Sequence, residues 1–329
     1  MKVPDILETS LRSAGVSAFG FLSGGRLGAA CDGLGMEKRS RYGLDRARGA
    51  VAAALAYGDG FVPGAEGPPK LWDGFSGPIA RIARFAGANW YAELGSRLDL
   101  AAAKARAALR EGALDPGPDG DWRRLVNSGL PEKRLALEAG IGKLGRHCLL
   151  MLPDAGSAVV LGILLVPLTL PDSAESPAAA APQEMLDPDC ADCGACVAAC
   201  PTGALKGDGS LERELCVQHW SSIAGGLPDA VEAAWGDRLY GCDACQEACP
   251  RFRPDVSART ERGPLGPGIP AAWIASASDE EIRAGLKGSA LGQAWISIDA
   301  LKRNARHLTG LDPIPTIKVN GGFDGKRER

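Results

Sequence analysis

The sequence predicts an α+β protein with a mixed helix-and-strand domain, then a compact cysteine-rich domain, then a short helical C-terminus. Three observations lead to this prediction. The first 170 residues contain both helix-like and strand-like stretches around one apolar core. Eight of the ten cysteines lie within about sixty residues. Beyond them, residues 280–309 have a helical pattern.

The first domain begins with a helix at residues 4–14, capped by Gly15, and a strand at 16–22. Residues 50–57 form a buried strand or a short helix, because a continuous apolar run has no period that separates the two. Alanine-rich residues 89–111 predict a long helix. Further elements are a strand at 122–126, a helix with proline in its first turn at 131–139, and strands at 149–152 and 158–166.

Composition also predicts where the domains end. A segment rich in proline and alanine reads as a linker. The polar, glycine-rich end of the chain is predicted to be disordered. The predicted parts are a first domain at 1–170, a linker at 171–187, a cysteine-rich domain at 188–255, a connector with a helical segment at 256–312, and a tail at 313–329.

The cysteines form two runs, spaced C-x2-C-x2-C-x3-C-P and C-x2-C-x3-C-P, with Cys216 between them. The first spacing is typical of bacterial ferredoxins with two [4Fe–4S] clusters. Two-residue gaps let three thiolates of one loop bind the same cluster, and the cysteine before proline reaches the neighbouring cluster. The predicted ligands are Cys190, Cys193, Cys196 and Cys249 for cluster one, and Cys200, Cys216, Cys242 and Cys245 for cluster two.

Two other uses of cysteine fit less well. Structural zinc sites have longer gaps between ligand pairs and no proline after the last ligand. Disulfides belong to small domains of oxidising compartments. Eight ligand cysteines therefore indicate the reducing cytoplasm, and Cys31 and Cys148 are predicted to be small core hydrophobes.

Charge and hydropathy limit the classes of partner. The net charge is −3 and the pI is about 5.8, so a nucleic-acid partner requires a local basic patch. Residues 1–15 lack the apolar core of a signal peptide, and there is no twin-arginine motif. The apolar run at 158–170 is too short to span a bilayer and contains Pro167. These features predict a cytoplasmic, monomeric protein without a membrane partner.

Gly140, Gly142 and Gly145 spell G-x-G-x-x-G, which occurs in dinucleotide-binding folds. That fingerprint follows a strand and opens a helix, whereas this one follows a predicted helix and leads into a strand. The order disfavours NAD binding. A glycine loop that lets the backbone approach another large, flat cofactor remains an open alternative.

Four polar residues have a structural and a functional interpretation. His147 and His219 are in no metal-binding motif, so the default for each is a hydrogen-bonded histidine. Tyr91 is a packing residue or a phenolic proton donor. Asn127 in V-N-S-G has the pattern of a turn residue.

Taken together, these motifs resemble the cobalamin-dependent epoxyqueuosine reductases, which complete the modified base queuosine in tRNA. The cysteine stretches at 190–205 (CADCGACVAACPTGAL) and 240–252 (YGCDACQEACPRF) are the most similar. Residues 81–91, 126–150 and 287–310 are similar to the family's arginine–tyrosine segment, active-site segment and first C-terminal helices. The first 80 residues match poorly.

The resemblance implies a nitroreductase-like α/β domain that binds a corrinoid and a ferredoxin-like module that delivers electrons to cobalt, which removes the epoxide oxygen. It also implies tRNA and an external electron donor, such as ferredoxin or flavodoxin, as partners. Asn127 and Tyr91 take the catalytic positions. The implied corrinoid-binding residues are Asn127, Arg134, Gly142, Gly145, Arg146, His147, Cys148, Gln218, His219 and Ser221.

The sequence departs from the family pattern at several positions. The family's proton-donating aspartate is Asn127 here, and its D-Y-H segment is Trp90-Tyr91-Ala92. Lys143 and Arg146 stand where its glycine loop usually has tryptophan and lysine. The chain is also expected to lack the full set of HEAT-like helices that contact tRNA.

These departures leave two alternatives to epoxyqueuosine reduction. One is a two-cluster electron carrier without catalytic activity. The other is a corrinoid reductase similar to reductive dehalogenases, although the missing export signal disfavours the respiratory kind.

Overall fold

A computed structural model describes residues 2–58, 72–173 and 185–310, together with the backbone of 316–317. Its helices are α1 Val3–Ser13, α2 Gly24–Ala30, α3 Met36–Tyr42, α4 Trp90–Glu111, α5 Glu132–Glu138, α6 Ala195–Ala198, α7 Val217–Trp220, α8 Asp229–Ala233, α9 Ala244–Glu247, α10 Ala271–Ser276, α11 Asp279–Gly285 and α12 Ile298–Thr309. Its strands are β1 Ala18–Ser23, β2 Gly49–Ala56, β3 Ile79–Ile82, β4 Arg123–Val126, β5 Lys143–Leu144, β6 Leu150–Met151, β7 Val159–Val166, β8 Leu227–Pro228, β9 Arg238–Tyr240, β10 Gly268–Pro270 and β11 Thr316–Ile317. The predicted mixture of helices and strands is confirmed.

The chain divides into two compact units, each made of separate stretches of sequence. The first unit contains Met1–Ala56, Tyr91–Gly145 and Leu149–Ala191. The second contains Tyr57–Trp90, Arg146–Cys148 and Asp192–Arg329. None of the helices in the described part of the chain is long and apolar enough to cross a membrane.

The first unit is built on a four-stranded antiparallel sheet with the order β1-β2-β7-β4. The inner strand β2 is buried at every residue except its last, Ala56, so its apolar residues run continuously instead of alternating. The stretch at 50–57 is therefore a strand. Leu27 of α2 and Leu135 of α5 belong to the same core as this sheet.

Helix α4 lies against β7 and β4 of the same sheet. A β-carbon added to Gly162 of β7 would lie 2.8 Å from Val126 Cγ2 and 3.1 Å from Leu94 Cδ2. A β-carbon on Gly95 would lie 2.9 Å from an Arg124 guanidinium nitrogen. Glycine at these two places lets the helix approach the strands closely.

The second unit is organised around a three-stranded sheet with the order β10-β3-β9. Strand β3 pairs with β10 antiparallel and with β9 parallel. These backbone hydrogen bonds hold Ile79–Ile82 in the second unit, whereas the predicted first domain, at 1–170, includes these residues. Ile82, Leu239 and Ile269 form the core of this sheet with Trp273 and Leu301 of the C-terminal helices.

Residues 280–309 are helical at both ends, but the prediction of one continuous helical stretch is wrong. The chain forms α11, a 3-10 turn at Ala290–Gly292, and α12. Gly288 has a φ of +78°, and a β-carbon on Gly292 would lie 2.1 Å from the Leu286 carbonyl oxygen, so the chain turns sharply between the helices. Ser297 caps the second helix by accepting from Ala300 N–H at 3.3 Å.

The end of the chain was predicted to be a disordered tail from residue 313. Most of that segment lies outside the described residues. Within it, strand β11 pairs in parallel with β8. Much of the predicted linker also lies outside the described residues, at 174–184.

Candidate functional site

The cysteine runs of the second unit are built on two short helices that pack against each other, α6 and α9. Cys196 lies in α6 and Cys245 in α9, and each helix ends just before the cysteine–proline pair of its run. Proline cannot continue a helix, so the cysteine in front of it leaves the helical turn. Cys190 ends a 3-10 turn at Pro188–Cys190, which belongs to the first unit.

The thiols predicted to hold cluster two lie close enough to influence each other's charge. Burial raises the pKa of Cys245 to about 12, and the neighbouring Cys242, Cys216, Cys196 and Cys200 thiols add to this effect. Burial also raises the pKa of Cys216, with additional effects from Cys242 and Cys200. The Cys216 and Cys245 thiols, which disfavour ionisation on their own, fit a site in which positively charged iron binds them as thiolates.

Backbone N–H groups favour the charged form of one ligand. Burial raises the pKa of Cys200, but hydrogen bonds from the backbone of Thr202, Leu205 and Ala204 and from the Thr202 hydroxyl outweigh it, so the pKa is lowered. Hydrogen bonds to cluster sulfur are one way in which a protein tunes the reduction potential. In the described part of the chain, no three side chains of Cys, His, Asp or Glu converge as a cage for a single metal ion. The cluster assignment therefore rests on spacing and on neighbouring thiols.

Helix α7 begins directly after Cys216 and contains the predicted cofactor residues Gln218 and His219. Gln218 Oε1 is buried and has no hydrogen-bond partner among the described residues. The His219 ring packs edge-on against Trp220, with 5.4 Å between ring centroids. The Ser221 hydroxyl donates to the Gln218 carbonyl at 2.8 Å, so it bonds within its own turn. Gln218 is thus the side chain of this segment with an unused buried acceptor.

The stretch from Arg146 to Cys148 belongs to the second unit. Arg146 donates from Nη1 to the Cys193 carbonyl at 3.0 Å, which fixes the arginine to the first cysteine run. Its Nε is buried and makes no hydrogen bond among the described residues. His147 is buried, and Cys148 is half-buried with a φ of +64°, a conformation that a cysteine rarely adopts.

The glycine loop of the first unit is part of a small hairpin between β5 and β6. A β-carbon on Gly142 would lie 2.5 Å from the Met151 carbonyl oxygen, and Gly145 N–H donates to the Leu149 carbonyl at 2.9 Å. The close approach that requires Gly142 is therefore explained within the hairpin. The order from α5 into β5 agrees with the sequence argument against a dinucleotide fingerprint. A role of this loop toward a corrinoid stays a prediction.

Asn127 and Tyr91 lie toward the same end of the first unit's sheet. Asn127 is exposed, directly follows β4, and has a φ of +49°. Tyr91 is the second residue of α4, and the contacts of Leu94 and Gly95 show that α4 runs antiparallel to β4. Arg134, another predicted cofactor residue, forms an ion pair with the buried carboxylate of Glu138.

One ionisable residue beside this loop is not among the residues predicted from the sequence. Glu132 begins α5, and burial raises its pKa to about 7 in spite of hydrogen bonds from Ser128 and from the Asn127 backbone. A carboxyl group that titrates near neutral pH is typical of general acids. The available signal was an acid five residues after Asn127, but its burial depends on packing that the sequence does not show.

Known proteins match residues of both units. Residues 189–251, which include all eight predicted ligands, match the 4Fe-4S double cluster binding domain. The epoxyqueuosine reductase of Staphylococcus aureus is 29% identical over 300 residues, covering 87% of this chain and 70% of the relative. That of Burkholderia pseudomallei is 32% identical over 250 residues, covering 68% and 58%. The chain belongs to the epoxyqueuosine reductase family.

Solved epoxyqueuosine reductase structures share the fold of this family member. The Streptococcus thermophilus enzyme superimposes with a TM-score of 0.67 at 21% identity, covering 93% of this chain and 80% of that one. A crystal structure of an epoxyqueuosine reductase with an epoxyqueuosine-modified tRNA-Tyr stem loop has a TM-score of 0.62 at 23% identity, covering 92% and 80%. In the sequence matches, the chain spans about half to 70% of the curated relatives' length.

Membership confirms the predicted family and its iron–sulfur clusters. The finer assignments, which are the ligands of each cluster, the corrinoid and its binding residues, stay predictions.

Proposed function

We propose that this chain reduces the epoxide of epoxyqueuosine in tRNA to the cyclopentene of queuosine. The reaction consumes two electrons and two protons, breaks both C–O bonds of the epoxide, and releases the oxygen as water. The electrons come from an external one-electron donor such as ferredoxin or flavodoxin, and they pass through the two clusters. The double-cluster segment is the single observation that supports this proposal most strongly.

The corrinoid, when bound, supplies a strongly reducing cobalt centre. Buried polar atoms are nearly always hydrogen-bonded, so buried polar atoms without a partner in the protein indicate residues that can bind a ligand. Gln218 Oε1 and Arg146 Nε are both buried without a partner among the described residues, and one lies two residues after a cluster ligand. The Gln218 oxygen can accept a hydrogen bond and the Arg146 nitrogen can donate one, which fits a cofactor with polar side groups such as a corrinoid.

The other proposed binding residues have different tasks. Gly142 and Gly145 stay predicted corrinoid-binding residues, although the Met151 carbonyl of the same hairpin already accounts for the glycine at 142. Asn127 and Tyr91, at the end of the sheet, would orient the substrate through hydrogen bonds. An amide and a phenol can both donate and accept hydrogen bonds.

Gln218→Leu is expected to weaken corrinoid retention by about fivefold, since one hydrogen bond contributes about 1 kcal/mol and a tenfold change is about 1.4 kcal/mol. Protein purified without oxygen in the presence of cobalamin should keep the corrinoid, as measured by absorption and electron paramagnetic resonance. Gln293→Leu, which changes a partly exposed glutamine of the C-terminal segment, is the matched control. Intact clusters without any retained corrinoid in the natural sequence would instead support an electron carrier.

A further inference from the structure

The loop between β4 and α5 holds a carboxyl group in a fixed position. Glu132 Oε1 accepts from the Ser128 backbone N–H at 2.7 Å and from the Ser128 hydroxyl at 2.9 Å. The next residue, Gly129, donates its N–H to the Tyr42 hydroxyl at 3.1 Å. A β-carbon on Gly129 would lie 2.3 Å from that hydroxyl, so the loop lies directly on α3. Asn127, at the candidate substrate position, is the residue immediately before Ser128.

The charged groups around Glu132 do not neutralise it. Among the described residues, no cation forms an ion pair with this carboxylate. Arg134, two residues further along α5, is paired with Glu138. From α3, Arg41 donates to the Tyr42 hydroxyl at 3.4 Å and packs on the Tyr42 ring. The hydrogen bonds from Ser128 and from the Asn127 backbone favour the carboxylate, but burial outweighs them and raises the pKa to about 7.

The reaction proposed above requires a proton for the departing oxygen. Asn127 has no proton to donate at neutral pH, because its side chain is an amide. Glu132 is a carboxylic acid in contact with the same loop. We propose that Glu132 is the proton source of this site and that it delivers the proton through the Ser128 hydroxyl. This inference rests on the proposed function.

Glu132 gives its proton to Ser128 Oγ while the Ser128 hydroxyl proton moves to the substrate oxygen, whose C–O bond breaks and whose electron pair forms the new O–H bond. Glu132 is left as a carboxylate and takes a proton from water. The second proton of the product water follows the same path, and the two electrons come from the external donor through the clusters. Glu132 acts through Ser128, so it is a positioning and proton-storing residue and not one that contacts the substrate.

One test needs neither corrinoid nor substrate. Infrared spectra of the cluster-containing protein, recorded between pH 5.5 and 8.5, should show a protonated carboxyl band that disappears with an apparent pKa near 7. Glu132→Gln should remove this band, whereas Glu111→Gln, an exposed glutamate at the end of α4, should leave it unchanged. A spectrum without a band that depends on Glu132 would overturn the inference.

The raised pKa of Glu132 should also make the stability of the protein depend on pH. The acid is harder to ionise in the folded state than in the unfolded state, so folding takes up a proton and ionisation disfavours the fold as pH rises from about 4.5 to about 7. Glu132→Gln removes this cost, because glutamine resembles the protonated acid. The unfolding midpoint of the variant relative to the natural protein should therefore be higher at pH 8.5 than at pH 5.5. An equal difference at both pH values would contradict a raised pKa.

Turnover then tests the proton path itself. In reconstituted protein with cobalamin and a strong reductant, epoxyqueuosine reduction should be constant at low pH and fall above about pH 7. Glu132→Gln should lower the rate by about 10²–10⁴-fold, the usual range for a general acid. Ser128→Ala, which removes a hydrogen bond to the carboxylate, should lower the rate and move the band titration to higher pH. Asn127→Asp added to Glu132→Gln should restore part of the rate.

The outcomes separate the two proposals. A natural protein that reduces epoxyqueuosine at a rate unaffected by Glu132→Gln overturns the proton source and leaves the function intact. No reduction by fully loaded natural protein overturns the proposed function and, with it, the role of Glu132 in that reaction. A lower rate in Glu132→Gln without any change in pH profile, and without rescue by Asn127→Asp, assigns Glu132 a structural role only and overturns the inference.

Discussion

Replacing Cys216 with alanine is expected to remove about half of the iron, from about eight to about four atoms per chain, because two [4Fe–4S] clusters contain eight. Cys216 lies between the two cysteine runs and is assigned to cluster two alone. Its thiol is close enough to Cys242 and Cys200 for their charges to raise its pKa in addition to burial. The loss of one ligand should therefore destabilise the cluster that these three residues share with Cys245.

Iron and sulfide content, measured after anaerobic reconstitution, tests this expectation. Cys31→Ala is the matched control, because Cys31 is buried in the core of the first unit and belongs to neither run. Circular dichroism must show that both variants are folded. Equal loss of both clusters in a folded Cys216→Ala protein would contradict the assignment of ligands.

The second large effect is expected from Asn304, a fully buried residue of α12 that joins separate parts of the second unit. Its Nδ2 donates to the Ser221 carbonyl at 3.1 Å and to the Leu239 carbonyl at 2.7 Å. Its Oδ1 accepts from the Arg303 guanidinium at 2.8 and 3.0 Å. Asn304→Ala leaves two carbonyls and a half-buried cation with fewer partners. We expect a loss of about 3 kcal/mol or more in the free energy of unfolding, since each buried unsatisfied group costs about 1–3 kcal/mol.

The consequence reaches the candidate site, because Ser221 ends the turn that follows Cys216 and Leu239 lies in β9 just before Cys242. Chemical unfolding of cluster-containing protein, followed by circular dichroism and by cluster absorbance, measures the effect. Arg306→Ala changes an exposed residue of the same helix and should cost less than about 0.5 kcal/mol. A similar small change for both variants would show that the Asn304 amide does not hold these segments together.

The sequence predicted best where chemistry or periodicity fixes residues along the chain. Cluster ligands require set spacings, so the eight cysteines were identified without a fold, and they fall inside the matched double-cluster domain. Long elements such as α4 and β7 were also predicted within a residue at each end. Alanine-rich composition favours a helix for the first, and β-branched residues favour a strand for the second.

Features that depend on tertiary contacts were not predicted. The apolar run at 50–57 fits either a strand or a helix, and only the pairing of β2 with β1 and β7 decides between them. The break between α11 and α12 depends on Gly292 approaching the Leu286 carbonyl. Glu132 is in the first turn of α5, where helices favour acids, so its residue type gives no signal, and only burial beside Ser128 raises its pKa to about 7.

The most direct test of the proposed function is a single-turnover reaction under anaerobic conditions. Protein with both clusters and cobalamin is mixed with a strong one-electron reductant and tRNA that carries epoxyqueuosine, and the modified nucleoside is quantified by mass spectrometry after digestion. We predict conversion to queuosine that depends on the reductant and on cobalamin, and that is lost in Cys216→Ala. Unchanged epoxyqueuosine in the presence of intact clusters, bound corrinoid and reductant would contradict it.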